Sequence, residues 1–241
     1  MPHGRPDWYN IAPLIQIHAS EDVNELAARL NPVNVYDRRG NVVMIDSFAE
    51  GIAKGSYDIY GAASLSWSVE ASRTEGMCLK VNDLSNDADG FRIRYTQGLQ
   101  YASTMAIEAS WCTSLARPLI ELSMGYYALA GIYLPKIRYN HYTNAIDYWG
   151  TDSNWHNIAT VPALNAGTGT WHFIKMVVDW ENGEYLRVLI NHENYSLAGI
   201  PIYFIATPSN HYVYSEFYCE GYGAVATDLY IDSIIITINE G

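Results

Sequence analysis

Residues 171–191 read WHFIKMVVDWENGEYLRVLIN. Two runs rich in β-branched and aromatic residues flank Glu181-Asn182-Gly183. Asn-Gly between strand-type runs is the strongest short-range signal of a β-hairpin, because both residues take positive φ at little cost. The pattern continues into Tyr195-Ser196-Leu197-Ala198-Gly199, which prolongs the hairpin. Working outward, the same period of two recurs at 67–71, 77–81, 91–96, 105–112, 119–124, 128–134, 136–139, 146–148, 202–205, 216–220 and 228–238. Each run is bounded by Gly, Asn, Asp, Ser or Pro, the usual turn residues. So many short strands with no long helical pattern between them predict an all-β, antiparallel sandwich. The last run is apolar on both faces in its second half (Ile234-Ile235-Ile236), which predicts a central position.

The beginning of the chain reads differently. Pro2, Gly4, Pro6 and Pro13 break regular structure up to about residue 19. A short helix is expected at 21–30. Ser20 can cap it, Glu21 and Asp22 suit its first turn, and Asn31-Pro32 stop it. Val23, Leu26, Ala27 and Leu30 fall on one face of that helix, an apolar stripe that needs a surface to dock on, either the main domain or a neighbouring subunit. Val35–Ile45 reads as strand, turn, strand, with the turn at Arg38-Arg39-Gly40-Asn41. The expected division is an N-terminal arm over 1–42 and a sandwich domain over 43–241.

Composition bounds the function. The 241 residues carry 14 Lys and Arg against 26 Asp and Glu, a net charge of −12, and 49% are hydrophobic. That much apolar surface can offset the ordering entropy of a folded chain. The negative charge argues against nucleic acid, and no apolar run approaches the length of a membrane span. The opening MPHGRPDWYN has no apolar stretch of the kind a secretory signal carries. The cysteines, Cys78, Cys112 and Cys219, are far apart and lack zinc spacing, and they read as small apolar fillers. Tyr and Trp number 20 and 7 against 5 Phe, a bias toward rings with a polar tip. Such rings suit surfaces half-buried against protein or sugar.

Trp171, Ile174, Lys175, Val178, Asp179, Gly183, Tyr185, Ile190 and Asn191, with Tyr230-Ile231-Asp232-Ser233-Ile234 and the opening Ile45-Asp46-Ser47-Phe48-Ala49-Glu50-Gly51, resemble the concanavalin A-like jelly rolls. This group includes laminin-G-like domains and carbohydrate-binding modules, and the resemblance spans about 43–240. It implies a jelly roll whose first strand lies beside its last. It also implies a place for structural calcium, for which Asp46, Glu50, Asp228 and Asp232 are the candidate ligands. The acidic loop 82–90 is a second oxygen-rich candidate, although turn chemistry explains it equally well. An arm, an Asp-Arg-Arg-Gly-Asn turn and a jelly roll in series also resemble bacteriophage virion proteins.

No catalytic motif stands out. There is no G-x-S-x-G elbow. Glu108 and Glu121 are isolated acids on apolar strands, and Glu216 and Glu220 read best as a solvated strand edge. His141, His156, His172, His192 and His211 have no Ser or Cys partner at a recognisable spacing. The resulting expectation is a non-enzymatic structural or assembly protein at a virion or particle surface, contacting other copies of itself or other particle subunits. The alternative is a carbohydrate-binding module or adhesin. For either, the aromatic and amide-rich stretch 139–157 offers Tyr139, Tyr142, Trp149 and Trp155 as contact residues, placed in loops where binding residues concentrate.

Overall fold

In the computed structural model the described residues are 40–49, 51, 53–72, 76–86, 88–98, 102–115, 118–207, 212–221 and 226–240. The expected helix at 21–30, with Val23, Leu26, Ala27 and Leu30, lies outside them, as does Glu50. The first strands are β1 (Asn41–Asp46), β2 (Ser56–Tyr60), β3 (Ser64–Ser68), β4 (Cys78–Leu84), β5 (Gly90–Gln97) and β6 (Thr104–Thr113). Then come β7 (Leu119–Ala128), β8 (Gly131–Tyr133), β9 (Lys136–Asn140), β10 (Ala145–Trp149) and β11 (Trp155–Thr160). The chain closes with β12 (His172–Asp179), β13 (Glu184–Ile190), β14 (Glu193–Pro201), β15 (Phe204–Ile205), β16 (Tyr212–Glu220) and β17 (Thr227–Ile238).

These strands form two antiparallel sheets, the sandwich that the period of two predicts and the jelly roll that the resemblance implies. One runs β14-β13-β12-β6-β17-β4-β3, with β1 also paired to β17. The other runs β11-β10-β9-β7-β16-β5-β2, with β8 and β15 appended to β7. The last strand is central, as its two apolar faces require. β17 pairs along one side with β6 and along the other with β4 and then β1. The predicted hairpin is β12–β13, and its Gly183 takes φ +66°, the left-handed value that favours glycine.

Alternation decides which side chains fill the space between the sheets. From the nine-stranded sheet come Ile120, Leu122 and Met124 of β7, Phe217 and Cys219 of β16, Phe91 and Ile93 of β5, and Ile137 of β9. From the other come Ile107 and Trp111 of β6, Ile174 and Met176 of β12, and Ile231, Ile234 and Ile236 of β17. Hydroxyls tie this core together. Tyr185 of β13 reaches across the sandwich, accepts the Lys136 backbone N–H at 2.9 Å and donates to the Trp149 carbonyl at 3.0 Å. Tyr95 of β5 crosses the other way and donates to Asp46 at 3.0 Å. Burial pushes the pKa of both hydroxyls far above the ordinary value, which keeps them protonated as donors.

Three expectations change. Residues 149–157 are a tight β10–β11 hairpin instead of an open loop, and β11 is a strand the sequence pattern did not mark. β2 was not expected either, because four of its five residues are exposed on this edge strand and show no apolar alternation. β3 starts and ends three residues earlier than predicted, at Ser64–Ser68. The cysteines are free and buried, as fillers should be. Burial raises the Cys78 and Cys112 thiols to about 11 and about 12, out of the reactive range.

Candidate functional site

The nine-stranded sheet turns its other face outward, and strand register orders that face into rows. One row crosses six strand junctions: Asn157, Asp147, Arg138, Glu121, Tyr218, Arg92, Asp58. Beside it lie the cross-strand pair Trp155 and Trp149, and then Lys136, Ser123, Glu216, Arg94 and Ser56. Further along β7 and β16 sit Gly125 opposite Tyr214, then Tyr127 opposite Tyr212.

The chemistry of this face is repetitive. Each of the four cations that the described strands place on it is held by a carboxylate and also lies against an aromatic ring. Lys136 pairs with Glu121 at 3.1 Å and sits 5.9 Å from the Trp149 ring centre. Arg138 pairs with Asp147 at 2.9 Å and lies 4.3 Å from the Trp155 ring centre. Arg94 pairs with Glu216 at 2.7 Å and covers Tyr214 at 4.3 Å. Arg92 pairs with Asp58 at 2.5 Å and lies 5.6 Å from the Tyr60 ring centre. A ring's negative face attracts a cation, so each carboxylate and ring together fix the direction of one long side chain.

Two aromatic groups anchor the ends. Trp149 and Trp155 meet edge to face at 5.2 Å, and both are half-buried. The hairpin that carries them is braced at its tip. The Gly150 N–H donates to the Asn154 carbonyl at 2.8 Å, and Asp152 bonds His156 at 2.8 Å. The His156 bond leads the interactions that hold the Asp152 carboxyl below its ordinary pKa. At the other anchor Tyr127 and Tyr212 stack at 4.1 Å. The neighbouring Tyr214 ring lies flat over Gly125, where a Cβ would come within 2.1 Å of it. Glycine at 125 is what allows the ring to lie down on the sheet.

The predicted contact residues therefore separate. Trp149 and Trp155 belong to the outward face. Tyr142 is 54% exposed on the β9–β10 turn and stacks on His141 at 4.6 Å. Tyr139 is a core residue instead of a surface one, at 1% exposure, and its hydroxyl accepts the Leu164 N–H at 3.4 Å. It occupies an inward position of β9, between Arg138 and Asn140, and so has no face to offer a ligand.

Glu121 looked isolated in sequence and Glu216 and Glu220 read as a solvated strand edge, but β16 lies between β7 and β5, Glu216 is buried, and all three acids have partners in space. Glu216 is shared by Arg94 and, at 3.7 Å, Arg92. Glu220 accepts the Tyr218 hydroxyl at 2.8 Å. Glu121 stands level with Arg138 and Tyr218, and burial holds its carboxyl above the ordinary pKa despite Lys136. Register, which no residue spacing within a strand reveals, brings these groups together.

For the calcium candidates, the first and last strands do run together, with Asp46 level with Ile234. Asp46 is fully buried and already accepts the Phe48 and Lys54 N–H groups and the Tyr95 hydroxyl. Asp228 binds Lys80 at 2.8 Å. Asp232 is buried four residues further along β17. Among the described residues no group of three or more His, Cys, Asp or Glu is placed to hold a metal ion. In the acidic loop 82–90, turn chemistry accounts for Asp89, which takes the Ala62 N–H at 2.7 Å and the Ser85 hydroxyl at 2.7 Å. Those bonds, the Ala62 one foremost, lower its pKa. No helix among the described residues is long and apolar enough to cross a membrane.

No family model and no curated protein matches the chain. Solved structures do match in fold. One is the conserved carbohydrate esterase from Shiga toxin-encoding bacteriophage phi24B, with 13% identity and a TM-score of 0.52, covering 83% of this chain and all of that one. Another is an endo-β-1,4-glucuronan lyase from the fungus Trichoderma reesei, with 10% identity and a TM-score of 0.50, covering 82% and 96% of the two chains. Peanut lectin aligns over 80% and 95% with a TM-score of 0.47 and 13% identity. The architecture is an all-β, two-sheet antiparallel sandwich consistent with the jelly roll expected from the sequence.

Proposed function

We propose that this chain is a carbohydrate-binding jelly-roll domain and that its site is the outward face of the nine-stranded sheet. The observation that carries the reading is the cross-strand pair Trp149–Trp155, set beside rows of paired charges on a rigid sheet. Sugar rings have apolar faces that stack on indole and hydroxyl edges that bond charged and amide groups. This surface offers both at fixed spacing, with side chains already ordered before a ligand arrives. Two proteins of the same fold are named for carbohydrate chemistry, an esterase and a lyase, which sets the ligand class to screen first. The test is a glycan array probed with the full chain, followed by Trp149→Ala and Trp155→Ala. Loss of binding in both variants, with circular dichroism unchanged, supports the site. A glycan whose binding survives both substitutions removes it.

A further inference from the structure

We infer that the ligand of this face is an uncharged, extended polysaccharide lying across the strands, and this rests on the carbohydrate-binding reading above. The first ground is charge. The cations that the described strands place on the face are Lys136, Arg138, Arg92 and Arg94, and each already has its own carboxylate: Glu121, Asp147, Asp58 and Glu216. Four positive charges therefore meet four negative ones, and Glu220 adds a further acid beside Tyr218. A uronate or sulfated sugar would have to displace a carboxylate from a guanidinium or ammonium that also lies on a ring. It would gain one ion pair and lose another, and leave an acid unpaired. The chain's net charge of −12 adds long-range repulsion of a polyanion. A neutral hydroxyl meets no such opposition. The exposed carboxylate of Asp58 keeps lone pairs to accept it, and the half-exposed Arg92, Arg94 and Lys136 keep N–H groups to donate.

The second ground is extent. The row from Asn157 on β11 to Asp58 on β2 crosses six strand junctions. At about 4.8 Å per junction it is about 29 Å long. The aromatic groups in and beside it are spread over that length: Tyr218 of β16 within the row, Trp155 and Trp149 of β11 and β10 on one side of it, and Tyr60 of β2 on the other. A single terminal sugar would cover one of these platforms, whereas a chain of several sugars touches all of them.

The experiment is calorimetric titration of the full chain with neutral oligosaccharides of two and six sugars (gluco-, xylo- and manno- series) and with oligogalacturonate of matching length. Each titration is run at about 20 and about 200 mM salt, a range over which screening changes strongly. The expected result is binding of a neutral hexaose about tenfold or more tighter than its dimer, with little change between the two salt conditions. Oligogalacturonate should not bind, and Trp149→Ala with Trp155→Ala should weaken the hexaose about tenfold or more. If oligogalacturonate binds, weakens with salt and is lost in the tryptophan variants, the face is a glycan site but the uncharged class is wrong. If dimer and hexaose bind equally, the extended chain is wrong. If neither class binds, or the tryptophan variants bind as well as the parent, the carbohydrate-binding reading of this face falls as well.

Discussion

Replacing Tyr185 by Phe removes one oxygen and leaves the ring in place. That oxygen is the contact between the far sheet and the strands that carry Lys136 and Trp149. It accepts the Lys136 N–H at 2.9 Å and shares its proton between the Trp149 carbonyl at 3.0 Å and the Lys136 carbonyl at 3.2 Å. Tyr185 is fully buried, so water does not replace the lost partner without opening the core. An orphaned buried donor costs about 1–3 kcal/mol, and one such donor sets the expectation at about 2 kcal/mol. For a chain of this size each kcal/mol lowers the melting temperature by about 2–4 °C, so Tyr185→Phe should melt about 4–8 °C lower. The assay is thermal unfolding followed by near-UV circular dichroism, where the tryptophan environment reports on the β9 and β10 strand ends. Glycan affinity should fall as well, because Trp149 loses the bond on its carbonyl. A melting point within about 1 °C of the parent, with the tryptophan signal unchanged, would refute the tether.

Other expectations follow from the same geometry. Gly125→Ala puts a methyl group within 2.1 Å of the Tyr214 ring. It should cost about 1–3 kcal/mol by overpacking and weaken any ligand that touches Arg94, as read by melting and titration together. Glu240 is buried between Lys175 at 2.8 Å and Arg187 at 2.9 Å, so Glu240→Ala takes a shared carboxylate from two buried cations. That loss should approach about 3–5 kcal/mol in a denaturant titration. Glu121 has a folded-state pKa raised first by burial, so the parent loses stability as pH rises through the carboxylate range and the group must ionise in place. Glu121→Gln should therefore melt higher than the parent at pH 7, and the difference should close below about pH 4. An unchanged difference across that range would mean that Glu121 ionises as freely in the fold as outside it.

The fold was legible where the pattern was strong. The Glu181-Asn182-Gly183 turn, the alternation in 91–96 and the two-sided apolar run at 234–236 each appear where expected. What stayed hidden lacked local contrast. β2 is an exposed edge strand, and in β11 the alternation is blurred by a bulge beside Ile146. The tyrosine excess was read as a surface property, and part of it is. Yet Tyr139, Tyr185 and Tyr95 are core rings whose hydroxyls satisfy backbone or carboxylate groups, those of Tyr185 and Tyr95 on the facing sheet. The site was half legible. Trp149 and Trp155 announced themselves by type, while Arg92, Arg94, Arg138, Glu121 and Glu216 lie far apart in sequence and meet only through strand order.

The position of β17 has a consequence for how the molecule is made. The centre of one sheet is the last strand of the sandwich, and its partners include β1, the first. Until that strand is available, β1 and β4 have no neighbour on that side, and β6 is paired with β12 alone. The hairpins β9–β10–β11, by contrast, can form from adjacent residues. Synthesis from the N-terminus thus delivers the tryptophan-bearing hairpin early and the closing strand late, with unpaired, apolar edges waiting between the two events. A chain interrupted before residue 227 would keep those edges and should aggregate instead of folding into a smaller version of the sandwich.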